Sequence, residues 1–187
     1  MNRTLRALLL ACGWVAAWAL ASSLAASALF PGPLPVAAAV VEGVRNGTLP
    51  SALALTLARL LAGYTAAMVL GIPLGLGLAR IAPLREAVGP LVFGLSAVPS
   101  ICWLPLAILW FGLSEWAIQL VVILGAMLPI AVATESSVRT IPPVIHRAAR
   151  TMGASGARLL FEVTLPAAFP GILGGAKLGW AVALRSL

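Results

Sequence analysis

The side chains that could act as acid, base, nucleophile or metal ligand are few and scattered. All five acidic residues are glutamates, Glu42, Glu86, Glu115, Glu135 and Glu162, and they stand mostly at the edges of polar stretches. The single histidine, His146, has no carboxylate beside it in sequence, and no group of Cys, His and Glu has metal-ligand spacing. Cys12 and Cys102 lie in separate apolar stretches and form no CxxC pair. Catalysis needs such groups brought together in defined roles, so the pattern argues against an enzyme and calls for no cofactor. Gly171-Ile172-Leu173-Gly174-Gly175-Ala176-Lys177-Leu178 has the outline of a phosphate-binding loop. It lacks a glycine directly before the lysine and a Ser or Thr directly after it, and it sits in an apolar run. Any ATP would have to bind on another chain. What remains is a set of cations inside apolar runs: Arg59, Lys177 and Arg185. Arg59 and Lys177 could attract an anion, or each could extend its charged end to a polar boundary, which is the simpler reading.

The elements that carry these residues follow from composition. Of 187 residues, 61% are hydrophobic and only 9% charged. A soluble domain with so little charge could not cover its surface, and disorder requires the opposite balance. The chain is therefore expected to be an all-α polytopic membrane helical bundle. Its net charge of +7 is read as membrane topology, not as a nucleic-acid surface, because Lys and Arg concentrate in cytoplasmic loops.

A span takes about 20 mostly apolar residues. Leu5 to Phe30 is long enough, and residues 1–30 are read as an N-terminal transmembrane helix. The competing reading is a cleaved signal peptide ending near Ala26-Ser27-Ala28. Residues 31–52, with Pro31, Pro33 and Pro35, form a periplasmic loop with room for one short helix. The next segment runs from Leu53 to about Ile81, with Pro73 as an expected kink and Gly71 and Gly75 as a short packing motif. A polar turn is expected between Arg80 and Arg85. Pro90, Pro99 and Pro105 then divide Ala87 to Leu113 into pieces too short to span alone. These pieces are either a broken, re-entrant pair or one Pro-kinked span. Broken backbone is tolerated at membrane depth only where protein buries it or a wet cavity receives it. Pro99, Trp103, Leu104 and Pro105 are therefore candidates for a translocation path, although Trp103, Trp110 and Trp116 would also suit interfacial anchors. Trp116 to Ala133 is a further span, and Leu165 to Leu187 the last, for about five membrane segments.

With the N-terminus inside, eight of the twelve basic residues are cytoplasmic and only Arg45 is clearly outside. Four of the eight, Arg139, Arg147, Arg150 and Arg158, fall in the polar stretch from Thr134 to Thr164. Within Pro142–Met152, Val144, Ala148, Ala149 and Met152 share one helical face, and His146, Arg147 and Arg150 share another. Gly153 should end that helix by taking a left-handed conformation. Ser155 should cap a second helix, stopped by Leu165-Pro166. A short helix with a ridge of small residues can enter a groove on a partner; its arginines would equally bind anionic lipid.

Arg147-Ala148-Ala149-Arg150-Thr151-Met152-Gly153-Ala154-Ser155, followed by Val163-Thr164-Leu165-Pro166-Ala167-Ala168 and Pro170-Gly171-Ile172, resembles the "EAA…G…LP" loop of membrane subunits of binding-protein-dependent ABC importers. Upstream, Leu57 to Tyr64 and Gly71-Ile72-Pro73-Leu74-Gly75 look like the start of that family's core. Pro99, Trp103-Leu104-Pro105-Leu106 and Trp110-Phe111-Gly112 are similar to its nitrate/sulfonate/taurine/bicarbonate group. The resemblance implies a type I ABC importer permease fold in the bacterial inner membrane. It implies a homodimer of permease subunits, ATP-binding cassette subunits that hydrolyse ATP, and a periplasmic substrate-binding protein. The cargo would be a small anion such as an aliphatic sulfonate, taurine or nitrate. Arg147, Ala148, Ala149, Gly153 and Ala154 would couple to the ATPase, with Arg147 standing where the family usually has Glu. Residues 53–187 would be the permease core with its coupling loop at 134–165, and the family pattern carries one more C-terminal span than is found here. The alternative is a stand-alone secondary transporter or channel. It is disfavoured because such proteins usually carry ionisable coupling residues in the membrane, and the three here include no acid.

Overall fold

The computed structural model describes residues 3–25 and 29–186, so the Ala26-Ser27-Ala28 site considered for cleavage lies outside it. Every regular element among the described residues is helical. The chain divides into two units, residues 1–55 and 56–187. In the first, α1 (Arg3–Ala25) is a 23-residue apolar helix, and α2 (Pro33–Arg45) is a 13-residue helix with proline in its first turn and no buried residue. Proline suits that position because its missing N–H would be unpaired there anyway. The segment expected as a loop with room for one short helix thus contains a helix of 13 residues. Gly47, at φ +72°, turns the chain into α3 (Thr48–Arg80), which begins several residues before the apolar run itself.

The second unit is organised around α6 (Glu115–Arg139). Two helices reach it through small residues at four-residue spacing. On α3 these are Gly63, Ala67, Gly71 and Gly75, all buried. On α9 (Leu165–Ser186) they are Gly171, Gly175, Gly179 and Ala183. The contacts are backbone-close: a Cβ placed on Gly71 would lie 2.7 Å from the Met127 carbonyl oxygen, and one on Gly179 would lie 2.7 Å from Ile130. Where lipid replaces water, helices are held by close van der Waals packing instead of by the hydrophobic effect, and small residues permit it. Leu60, Val122, Ala126 and Ile130 fill the centre. Tyr64 ties α3 to α9 directly, with its hydroxyl donating to the Ala176 carbonyl at 2.9 Å and its ring edge-on to Trp180 at 5.1 Å. The phosphate-loop lookalike is therefore one side of a packed helix.

Between α3 and α6 the chain forms α4 (Ala82–Ser96), a single 3-10 turn (Ser100–Trp103) and α5 (Leu104–Phe111). The two parts are bent by 108°, so this region is a broken pair and not one kinked span. Two local expectations change. Arg85 lies inside α4, where Pro83 starts the helix in place of a polar turn, and Pro90 is absorbed within it. The break falls at Ala97–Pro99, because the residue before a proline avoids helical angles. Among the described residues, four helices are long and apolar enough to cross a membrane, or five if the bent pair is one span, against about five segments read from the sequence.

Beyond α6, α7 (Pro143–Thr151) ends at Gly153, φ +85°, as its glycine requires. Ser155 stands at the N-cap of α8 (Gly156–Leu159) but makes no side-chain cap bond. Leu165-Pro166 does not stop the helix. A π turn at Leu160–Thr164 carries α8 into α9, so that residues 156–186 run on continuously. Pro166 cannot donate a backbone hydrogen bond and its ring would crowd a regular turn. The wider π turn relieves this, and Thr164 Oγ1 donates to the Leu159 carbonyl at 3.0 Å.

Candidate functional site: an exposed loop helix and a pocket at a broken span

Two places combine exposed or cavity-lining residues with backbone that the membrane does not favour. The first is α7. Val144, Ile145 and Met152 are exposed at 65%, 38% and 78%, and Ala148 stands with them on the outer face. Ala149, its neighbour, is buried at 3%. Its carbonyl accepts from the Ala154 N–H at 2.9 Å, and Gly153 N–H donates to Arg150 at 3.0 Å, closing the helix in a Schellman-type turn. Arg147 and Arg150 are both exposed, and Arg150 also borders a cavity. Of the five residues expected to act together, Arg147, Ala148 and Gly153 face outward, Ala154 is half-buried and Ala149 faces the chain's own interior.

The second place is the break between α4 and α5. A cavity of about 370 Å³ is lined there by Ser96, Pro99, Ser100, Gly125, Pro129 and Arg185, among others. Gly125 allows the approach, since a Cβ there would lie 2.9 Å from Ser100. Pro129 has no N–H, so the Gly125 carbonyl lacks its helical partner. Ser186 Oγ lies 2.9 Å from Ser100 Oγ. Arg185 donates from Nε to the Ala181 carbonyl at 3.1 Å and has no carboxylate partner among the described residues. The cavity is thus a recess of mixed character, with one guanidinium and two serine hydroxyls in its lining and the Ser186 hydroxyl close by, set among helices of membrane-spanning length.

The expected path residues separate here. Pro99 lines the cavity. Trp103 packs against Leu78, Val92 and Leu128 on one side and Ala107 and Val121 on the other, and Leu104 joins it in the second cluster. Pro105 is exposed at the start of α5, and Trp110 and Trp116 are exposed near the α5–α6 corner. Arg59 forms an ion pair with Glu115, and Gln119 donates to the Arg59 carbonyl at 3.1 Å. Its charge is therefore engaged in joining α3 to α6. Lys177 is exposed on the face of α9 turned away from α6, with no ion pair among the described residues.

Residues 67–186 match the family described as binding-protein-dependent transport system inner membrane component. The chain belongs to that family. The fold is accordingly that of a type I ABC permease, in a multi-pass membrane protein. Similar proteins include the taurine transport system permease protein of Escherichia coli, 34% identical over 63% of this chain and 42% of the relative. The riboflavin transport system permease protein of Chloroflexus aurantiacus is 36% identical over 56% of this chain and 39% of that protein. The bicarbonate transport system permease protein of Synechococcus elongatus is 31% identical over 58% and 39%. The matched part spans only about two-fifths of the length of such relatives. In this family member, α7, the π turn and α9 all lie within the matched residues, as does the broken span.

Sequence reasoning missed Arg185 as a lining residue and the serines around it. Ser96 and Ser100 flank Pro99 on both sides of the break, which was a readable signal. Their meeting with Ser186, 86 positions beyond Ser100, was not.

Proposed function

We propose that the chain is the membrane-spanning permease part of an ATP-driven importer for a small anion such as an aliphatic sulfonate, taurine or nitrate. ATP is hydrolysed on separate ATP-binding cassette subunits of the assembly. A second copy of the chain completes the pathway, and a periplasmic binding protein delivers the cargo. The observation that carries this reading is α7: a short helix closed by a left-handed glycine, presenting Val144, Ala148 and Met152 outward within the family's matched region. Such a helix offers a partner a narrow apolar ridge on which Ala148 permits close backbone approach. The ATPase groove receives that ridge, and its closure moves α9 through the π turn, with α6 packed against it. Arg147 supplies a cation where the family's usual residue is acidic, so its contact on the ATPase should be with an acidic group.

The anion class is supported by two of the three cations in apolar runs, Lys177 and Arg185, which have no ion pair among the described residues; both are exposed on α9, the second beside the recess at the broken span. The orientation follows from the arginines: α7 and the N-terminus are cytoplasmic, and the α5–α6 corner is periplasmic. Co-expression with the ATP-binding subunit of its own gene cluster tests the reading. The tagged chain should retain that subunit through purification and stimulate its ATPase, whereas a chain that purifies alone and transports without ATP would be a secondary transporter or channel.

A further inference from the structure

We infer that this chain holds an anionic phospholipid, with the headgroup phosphate in a basic pocket where α3, α6 and α7 end and an acyl chain in the apolar groove between α3 and α9. The pocket, about 390 Å³, is lined by Arg80, Arg139, Arg150, His146 and Thr164, among others. Among the described residues, one of these arginines has a carboxylate partner: Arg139 pairs at 2.9 Å with Glu135, which is buried at 3%. Arg80 and Arg150 have no carboxylate partner among the described residues. The site is also pinned. Thr164 is 1% exposed; its Oγ1 accepts from Arg80 Nη2 at 3.2 Å and lies 3.3 Å from His146 Nε2.

Each of the three arginines stands in the last turn of its helix, where the carbonyl end of the dipole favours a cation. That preference accounts for each position singly. It does not account for three guanidiniums on one cavity, two of them without a carboxylate partner, which is an arrangement for an oxyanion such as a phosphate diester.

The apolar groove supplies the second half of the argument. A cavity of about 560 Å³ is lined by Ile72, Leu165, Phe169, Ile172 and Leu173, among others. Ile72 and Ala79 are two helical turns apart on one stripe of α3, and Ala79 lines the basic pocket. Leu165 directly follows Thr164, so both cavities border the same α3–α9 seam. Phe169 and Leu173 are 55% and 44% exposed. A ligand charged at one end and apolar at the other occupies both cavities; a free phosphate occupies only the first. Basic pockets between membrane helices bind acidic headgroups in this way.

The test uses the full chain in neutral detergent, titrated with dioleoylphosphatidylglycerol or dioleoylphosphatidylcholine, with bound lipid read by native mass spectrometry. The unaltered chain should retain the anionic lipid preferentially, and millimolar inorganic phosphate should not displace it. Arg80→Gln and Arg150→Gln should each weaken retention roughly fivefold, the factor for one basic residue near an acidic lipid surface. Arg158→Gln should change nothing, because Arg158 pairs with Glu162 at 2.8 Å and does not line the pocket. Arg150→Lys should keep most of the binding. Equal retention of both lipids by the unaltered chain would overturn the inference, as would displacement by inorganic phosphate. So would loss of a co-purifying ATP-binding subunit from the Gln variants with lipid retention unchanged, since the pocket would then take a protein carboxylate. The first two readouts need no variant and stand even if a Gln variant fails to fold.

Discussion

Ala148 and Ala149 are adjacent and chemically identical, yet the fold gives them different surroundings. Ala149 is packed inside the chain and Ala148 is on the outside of α7. Ala149→Trp should therefore destabilise the chain itself, by about 1–3 kcal/mol as overpacking does, seen as a lower melting temperature in detergent. Ala148→Trp should leave that melting temperature unchanged and abolish retention of the ATP-binding subunit. The glycine at 153 was legible, because only a residue without Cβ takes φ +85° without strain. Which alanine faces inward was not: 3–4 spacing defines an arc of the helix, and the inward direction depends on what α7 packs against, which local sequence does not state. The Arg59–Glu115 pair was likewise out of reach, since its members stand 56 positions apart.

At the scale of elements, α6 is gripped by two ridges of small residues, and these should be the least substitutable positions in the fold. Gly71→Ala and Gly179→Ala place a methyl 2.7 Å from a carbonyl oxygen and from Ile130 respectively, and each should cost about 1–3 kcal/mol. Gly174→Ala meets nothing within 4 Å and should be neutral or stabilise slightly, as helix propensity favours Ala over Gly by up to about 1 kcal/mol. Thermal unfolding of the three variants in one detergent checks the contrast. Gly71 and Gly75 were visible as a motif. The full ridges, 63-67-71-75 and 171-175-179-183, are also written in the sequence, but their shared partner α6 is a long-range fact. Pro166 shows the converse. Local rules stop a helix there, and the π turn with the Thr164 hydroxyl overrides them.

The whole molecule is a multi-pass member of a transport-system family, and its composition and apolar segments were enough to show a membrane helical bundle. The broken span could be narrowed to two arrangements from its prolines; the 108° bend selects one. Orientation is open to direct test. After Cys12→Ser and Cys102→Ser remove the native thiols, both exposed, a membrane-impermeant maleimide added to intact cells should label Trp116→Cys and not Arg158→Cys. The most direct measurement of the central claim is ATP-driven uptake of labelled taurine, alkanesulfonate or nitrate by cells expressing the complete gene cluster, with this chain unaltered or carrying Ala148→Trp. The account predicts ATP-dependent uptake of at least one of these anions, lost in the variant although the protein remains inserted and folded. Equal uptake by the two, or uptake that persists without ATP, would contradict it.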